Sequence, residues 1–264
     1  MQNILIHKNE LKEDLFKKDV SSLREIVTIT NINNLVLPRI SYKIDGIEYG
    51  NEVEQELKTK GELIKFTKNK FKVSVNIPDI INKADNNQFI TYLKSVLKEG
   101  LVEKEKICIF NTTNPGEEHM NIYSSQNGIK EVEGENLFRA IKNSLADLDD
   151  KYREKASIVM CRRDYTDMTD KLSNFKFDSY ENQSYQLFGI KVVFCKFADK
   201  PIVGDFSRLH INYEDDFLFE NKCGLTDNFD KIIISGNFDI RVRLSSAFRI
   251  AKVTSSVKSE KVEI

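Results

Sequence analysis

Residues 40–73 read ISYKIDGIEYGNEVEQELKTKGELIKFTKNKFKV, and the stretch divides by charge. Between Ile44 and Leu57 stand Asp45, Glu48, Glu52, Glu54 and Glu56, with no Lys or Arg among them. From Lys58 to Lys72 stand Lys58, Lys60, Lys65, Lys68, Lys70 and Lys72, against Glu62 alone. Ile64, Phe66, Phe71, Val73 and Val75 interrupt polar neighbours with the period of a half-buried strand, and the phase changes between Phe66 and Phe71, as at a bulge or twist. The pattern predicts a long two-stranded hairpin over residues 38–76 whose arms carry opposite charge. An isolated hairpin is marginal in water and needs another surface to lie on. Two readings stay open: a solvated, self-complementary ribbon, or an arm docked on a neighbouring subunit. In the second, Glu52, Glu54, Glu56, Lys58, Lys60, Ile64, Lys65 and Phe66 make the contact. Exposed ion pairs, each worth about 0–1 kcal/mol, would set its register, and Ile64 and Phe66 would add affinity if buried.

Working outward, IVTITNINNLVLP (26–38) is β-branched and apolar, which predicts one extended strand closed by Pro38. Residues 1–26 carry a weak helical pattern in Leu11, Leu15, Phe16, Leu23 and Ile26. After the hairpin, Phe89, Leu93, Val96, Leu97 and Leu101 recur at steps of three and four, the stripe of an amphipathic helix. Asp85 or Asn86 is its expected N-cap, and about 20 residues would make it roughly 30 Å long. Gly100 within it costs about 1 kcal/mol against Ala. Residues 111–128 are loop by composition. A second helix carries Leu137, Phe138, Ile141, Leu145 and Leu148, followed by a buried strand in ASIVMCR and a short helix in RDYTDMTDKLSNF. Strands then follow in FGIKVVFCKF and PIVGDFSRLHINY, with a final run in KIIISGNFDIRVRLSSAFRIAKV broken at Ser235–Gly236.

Composition narrows the function classes. Forty Lys and Arg against 41 Asp and Glu leave none of the basic surplus that a protein gripping nucleic acid by its phosphates shows. Cys108, Cys161, Cys195 and Cys223 form no C-x-x-C pair and read as thiols of a reducing compartment. The opening residues lack a secretion signal, and no stretch approaches the roughly 20 apolar residues of a membrane span, so a soluble intracellular protein with no membrane partner is expected.

Chemistry finds no centre. The three histidines are His7, His119 and His210, and none stands at catalytic or ligand spacing. His210, at strand spacing beside Ile211, reads as a surface or edge imidazole. Adjacent acids Glu214, Asp215 and Asp216 would point to opposite faces of a strand, so solvated charge is their expected role rather than a cation site. No G-x-S-x-G, G-x-x-x-x-G-K-[ST] or G-x-G-x-x-G is present. No catalytic residue, no metal and no cofactor is expected, and the chain reads as a structural protein, not an enzyme.

The order of these features resembles the major capsid proteins of tailed bacteriophages with the Hong Kong 97-like fold. The resemblance is diffuse and runs from about residue 27 to residue 253. Residues 40–73 resemble that family's E-loop hairpin, and NNQFITYLKSVLKEGLVEKEKICIFN its spine helix. LFRAIKNSLADLDDKY, ASIVMCRRDY and LFGIKVVFCKFADKPIVGDFSRL resemble its axial domain, and Arg241 with SSAFRIAKV its closing strand. It implies an α+β fold divided into an N-terminal arm and first strand (1–37), E-loop hairpin (38–76), peripheral domain with spine helix (77–125), axial domain (126–229), and closing peripheral strands with tail (230–264). Gly189 and Gly204 then punctuate axial strands, Gly204 allowing a turn where a side chain would clash and Phe206 packing inward.

The implied function is a subunit of an icosahedral phage head, self-assembling into hexamers and pentamers that enclose double-stranded DNA without sequence-specific binding. Implied partners are its own copies, a portal and a separate scaffolding protein. The implied place is the virion, after assembly in the bacterial host cytoplasm. Some relatives join subunits through a Lys–Asn bond helped by a Glu; the Asn and Glu are not matched here, and no cross-link is expected. An encapsulin-type cargo shell of the same fold and a phage tail or baseplate protein are the alternatives.

Overall fold

The computed structural model describes residues 14–16, 22–43, 58–78, 86–112, 114–171, 185–223 and 229–254. Its helices are α1 (Leu23–Ile26), α2 (Asn86–Asn111), α3 (Leu137–Asp147), α4 (Asp150–Arg153) and α5 (Arg162–Lys171). Its strands are β1 (Thr28–Asn31), β2 (Val36–Lys43), β3 (Lys58–Lys65), β4 (Asn69–Pro78), β5 (Lys130–Gly134), β6 (Ser157–Met160), β7 (Gln186–Leu187), β8 (Ile190–Phe194), β9 (Ile202–Gly204), β10 (Leu209–Tyr213), β11 (Leu218–Cys223), β12 (Phe229–Val242) and β13 (Phe248–Val253). The α+β class read from the sequence is what the chain adopts.

The apolar stripe Phe89, Leu93, Leu97 and Leu101 is buried, with Val96 half-buried beside it, so α2 is the expected spine. It has 26 residues, about 39 Å at 1.5 Å per residue, and is longer than expected because Cys108, Ile109 and Phe110 extend its buried side. Asn86 is its first residue, and Asp85 lies outside the described residues. A Cβ on Gly100 would stand 2.7 Å from Val73 Cγ1, so this glycine lets the spine lie close on β4.

That sheet is built around β12. β10 and then β11 run antiparallel along one edge of it, and β4 pairs over ten residues along the other, from Phe229↔Pro78 to Phe238↔Asn69. β1 adds outside β10 in parallel. Ile232, Ile234, Phe238 and Ile240 of β12 join the spine stripe in one core cluster. The expected break at Ser235–Gly236 does not occur: β12 runs through it, and the ring of Phe71, 3.0 Å from where a Gly236 Cβ would be, occupies that space. The break comes at residues 243–247, before β13.

The second sheet has the order β5-β13-β9-β6-β8-β7, and α3 packs on it through Ala140, Ile141 and Leu145 against Ile158, Val203 and Ala251. Asn136 caps α3, its side chain accepting from Arg139 N at 2.9 Å. PIVGDFSRLHINY therefore serves two sheets, with β9 in the second and β10 in the first. So does the closing run, with β12 in the first and β13 in the second. Residues 209–223, read with the axial segment, pair in the first sheet, and residues 248–253, read with the peripheral strands, pair in the second. The two crossover segments lie side by side: Asp205 N donates to Ala247 O at 3.0 Å and Arg243 N to Arg208 O at 2.8 Å.

Gly204 is the last residue of β9 at this neck and not a turn. A Cβ there would meet Ala247 O at 2.2 Å, so the clash expected at this position is real. Gly189 does sit in a turn: Phe188 and Gly189, with φ 56° and 75°, link β7 to β8 as a two-residue hairpin loop. Phe206 is buried edge-to-face on Phe248, with ring centroids 5.3 Å apart.

A buried ion pair joins the N-terminal region to the spine. Arg24 Nε and Nη2 donate to the two oxygens of Glu105 at 2.9 and 2.6 Å, and Tyr213 Oη donates to the same carboxylate. Arg24 also donates to Leu15 O. Burial alone would lower the Arg24 pKa, but the bonds and charge of Glu105 outweigh it and raise it. Around Tyr213 lie Phe16, Phe71 and Phe238 at centroid distances of 4.4, 5.7 and 5.9 Å.

Two substitutions check this architecture by thermal unfolding. Gly204→Ala, against backbone that cannot give, should cost about 3 kcal/mol or more, the top of the overpacking range. Gly189→Ala, strained in φ but open in space, should cost about 1 kcal/mol. Equal effects would contradict the close approach at the neck.

Candidate assembly surface

The ribbon β2–β3 pairs only with itself among the described residues, from Val36↔Lys65 to Lys43↔Lys58, and Arg39 Nη2 ties it to the body by donating to Ser245 Oγ at 3.0 Å. It is shorter than the hairpin read over 38–76. β4 belongs to the first sheet, and the change of phase between Phe66 and Phe71 marks the chain leaving one sheet and entering another. The expected single strand 26–38 is likewise two strands, divided at Asn33–Asn34, where Asn34 takes a left-handed φ of 51° that Asn tolerates. Pro38 lies inside β2 opposite Leu63, and a two-stranded ribbon accepts its missing N–H because each strand has a free edge.

Cross-strand partners share a face. Val36, Pro38, Leu63 and Lys65 form one face, with Val36 44% and Leu63 64% exposed. Leu37, Arg39, Glu62 and Ile64 form the other, with Arg39 Nη1 and Glu62 Oε2 3.6 Å apart. Of the expected contact residues, Ile64 is half-buried and Lys65 exposed on opposite faces. Lys58 and Lys60 lie on β3 opposite Lys43 and Ser41. Glu52, Glu54 and Glu56 lie outside the described residues. Phe66 is half-buried against this chain's own His210, with ring centroids 5.1 Å apart.

The ribbon's root rests on a polar face of the first sheet. Asp239, 1% exposed, accepts from Thr67 N at 2.7 Å, Thr67 Oγ1 at 3.1 Å, Asn69 Nδ2 at 3.1 Å and Arg241 Nε at 2.8 Å, and its Oδ1 is 2.6 Å from His119 Nε2. Burial works to raise the Asp239 pKa, but the hydrogen bonds of His119 and Thr67 and the charge of Arg241 hold it below the usual carboxylate range. Glu214, expected as solvated charge, is instead 7% exposed, 2.9 Å from Lys68 Nζ, and accepts from Asn34 N at 3.4 Å. Asp215 and Asp216 are exposed as expected. Asp216 accepts from Asn237 Nδ2 at 2.5 Å.

His210 is not a surface imidazole: β10 is flanked by β1 and β12, and the ring is 3% exposed. Asn212 Oδ1 accepts from Ile32 N and from the Thr30 hydroxyl at 2.6 Å, so Thr30 Oγ1, 2.7 Å from His210 Nε2, has only a lone pair to offer it. His210 therefore carries its proton on Nε2, and Nδ1 has no partner among the described residues. A second proton would be a buried, unpaired charge. Burial, and then the charge of Arg243, lower the pKa to about 4.

Among the described residues no group of three or more His, Cys, Asp or Glu could hold a metal ion, and no helix is long and apolar enough to cross a membrane. Cys108 and Cys195 are buried free thiols, Cys161 is a half-buried one, and Cys223's side chain lies outside the described residues. Burial pushes the Cys108 thiol up to about 11.

This fold as a whole matches solved capsid structures over most of the chain. The capsid of an empty GTA particle matches at TM-score 0.65 and 15% identity over 90% of this chain and 91% of that chain. The satellite phage P4 procapsid including size determination (Sid) protein matches at 0.58 and 13% over 96% and 94%. The capsid of cyanophage P-SCSP1u matches at 0.57 and 10% over 91% and 90%. This chain has the phage capsid fold. No protein-family model and no curated protein sequence matches it.

Within the capsid fold, sequence reasoning located the spine, placed the ribbon only in part, took Gly204 for a turn where it is a close approach, and missed Asp239, Glu105 and Arg24 as buried charges. In NFDIRV the alternation of Phe238, Asp239 and Ile240 puts the carboxylate on the face opposite the core, and it is buried only because Thr67, Asn69, His119 and Arg241 cover that face.

The His210 environment has a pH signature. Because its folded pKa lies below the unfolded value of about 6.5, its stabilising effect is full above pH 6.5 and is lost as pH falls toward 4, up to about 3 kcal/mol. Chemical denaturation at stepped pH should show this slope, and His210→Leu should flatten it. An unchanged slope would refute the buried neutral imidazole.

Proposed function

We propose that this chain is the shell subunit of a tailed-phage head, joining copies of itself in hexamers and pentamers around double-stranded DNA. The observation that carries the reading is the capsid fold, matched over nine-tenths of the chain, with a ribbon exposing Val36 and Leu63 to solvent. A soluble monomer gains nothing from holding such side chains out on a two-stranded projection, whereas a tile that overlaps its neighbour does. In this reading the first sheet with α2 is the peripheral domain, the second sheet with α3 is the axial domain, and β2–β3 is the E-loop.

A shell repeats a few interfaces under closed symmetry, and each stable one buries about 1,200–2,000 Å². Weak contacts made together add through effective concentration. The ribbon offers an apolar face at Val36, Pro38 and Leu63 and a lysine-rich strand at Lys58, Lys60 and Lys65, and the acids Glu52, Glu54 and Glu56 stand in the segment between its strands. Apolar burial would supply most of the affinity, and the charges would select register. The near equality of 40 basic and 41 acidic residues suits a container that must release its DNA. A portal and a separate scaffolding protein would complete the head, assembled in the host cytoplasm. The Sid protein in the matched P4 procapsid supports size control by a second protein.

The test is to express the chain, separate it by size-exclusion chromatography and image it by negative stain. Closed shells are expected, and a monomer at high concentration would overturn the proposal. Leu63→Glu and the triple reversal Lys58→Glu, Lys60→Glu, Lys65→Glu should each lower shell yield at least about tenfold, and Leu63→Glu, at an exposed position, should change monomer stability little. Unchanged yield from both would remove the ribbon from the interface.

A further inference from the structure

We propose that Asn127 is a modification site, a side-chain amide that the fold shields from deamidation and whose conversion slackens the loop that touches both sheets. The segment SSQNGIK (124–130) holds the chain's single Asn-Gly pair. In such a pair the backbone nitrogen of the glycine can reach the asparagine Cγ, because no Cβ on the following residue blocks the approach. Base takes the proton of Gly128 N, that nitrogen bonds to Asn127 Cγ, and Nδ2 departs as ammonia, leaving a cyclic imide. Water then opens the ring to aspartate or isoaspartate. No oxidant or reductant is needed.

Three hydrogen bonds hold this reaction back. Gly128 N donates to Ser125 O at 3.1 Å, and Asn127 Nδ2 donates to His119 O at 3.0 Å and to Asn121 O at 2.7 Å. The attacking nitrogen and the leaving nitrogen are thus both engaged elsewhere, so ring closure waits for the turn over Ser125–Asn127 to open. Gly128 itself is exposed at φ 61° with open space around it, and packing on its side does not resist that opening.

The same bonds set the consequence. An amide nitrogen donates, whereas an ionised carboxylate only accepts. Conversion therefore places a negative charge against two carbonyl oxygens whose hydrogen bonds it has broken. Those carbonyls belong to a loop that reaches both sheets. His119 Nε2 lies 2.6 Å from Asp239 Oδ1 in β12, and between β8 and β9 Tyr123 Oη donates to Lys200 O at 2.6 Å and accepts from Lys200 N at 3.1 Å. Met120 and Ile122 are buried in the core and stay as anchors, so the loop loosens around His119 without coming away. None of this rests on the shell reading.

The experiment is peptide mapping by mass spectrometry on the full chain, incubated folded and unfolded in guanidinium chloride, at neutral and at mildly alkaline pH. In the unfolded chain Asn127 should gain the mass of NH replaced by O, faster at the higher pH because ring closure begins with loss of the Gly128 amide proton. In the folded chain conversion should be at least about tenfold slower, as for a reaction that needs local opening. No conversion in the unfolded chain would overturn the site, and equal rates folded and unfolded would overturn the shielding. Hydrogen exchange then reads the consequence: in Asn127→Asp, peptides spanning 119–128 should exchange at least about tenfold faster, with β6 and β8 unchanged. Asn127→Ala, which removes the donors without adding charge, should show a smaller acceleration and is read alone should the aspartate variant fail to fold. Unchanged exchange over 119–128 would overturn the loosening of the loop.

Discussion

A strand hydrogen-bonded on both edges leaves its neighbours little choice, and β12 imposes that constraint on this fold. Over Phe229–Phe238 β12 has β4 along one edge and β11 then β10 along the other, and backbone N–H and C=O groups inside a sheet each need such a partner. The pairing register then dictates the rest. It seats Phe71 over Gly236, places Tyr213 beside Phe238 under the spine, and brings Asp239 to the point where the ribbon departs.

Buried charge marks each junction between parts. Arg24 and Glu105 join the N-terminal region to the spine, Asp239 and Glu214 join the sheet to the ribbon, and Arg249 Nε reaches Asp147 at 2.5 Å where β13 meets the end of α3. Apolar contacts are tolerant of small slides, whereas a charge in a low-dielectric setting demands one geometry. Placing ions at junctions and hydrocarbon within layers gives parts that are individually firm and mutually aligned. A subunit that must present several edges at fixed angles benefits from that division.

The elements with strong local periodicity are legible in the sequence: the spine from its leucine stripe and α3 from Leu137 to Leu145. The ribbon is legible only in part: β3 lies in the basic run, but its partner β2 carries Arg39 and Lys43 where arms of opposite charge were expected, and the acidic run lies outside the described residues. The continuous run of β12 is not legible, because Ser235–Gly236 carries the local signature of a break, and only Phe71 from a distant strand fills the gap it leaves. Nor is the sheet membership of β10 and β13. A short apolar strand looks the same whichever sheet it joins, and its assignment depends on partners over a hundred residues away. His210, on β10, and Glu214, just beyond its end, are misplaced for the same reason, since polar residues read as solvated until something covers them.

What the amino-acid order alone determined here is the inventory: an α+β chain with one long amphipathic helix and a strand within the basic run 58–65. These follow from side-chain periods and residue types, which act over a few neighbours. Tertiary structure decided where the ribbon ends, which strands share a sheet, and which charges are buried. Those outcomes depend on backbone hydrogen bonds between remote segments and on desolvation, and neither is defined until the chain has closed on itself.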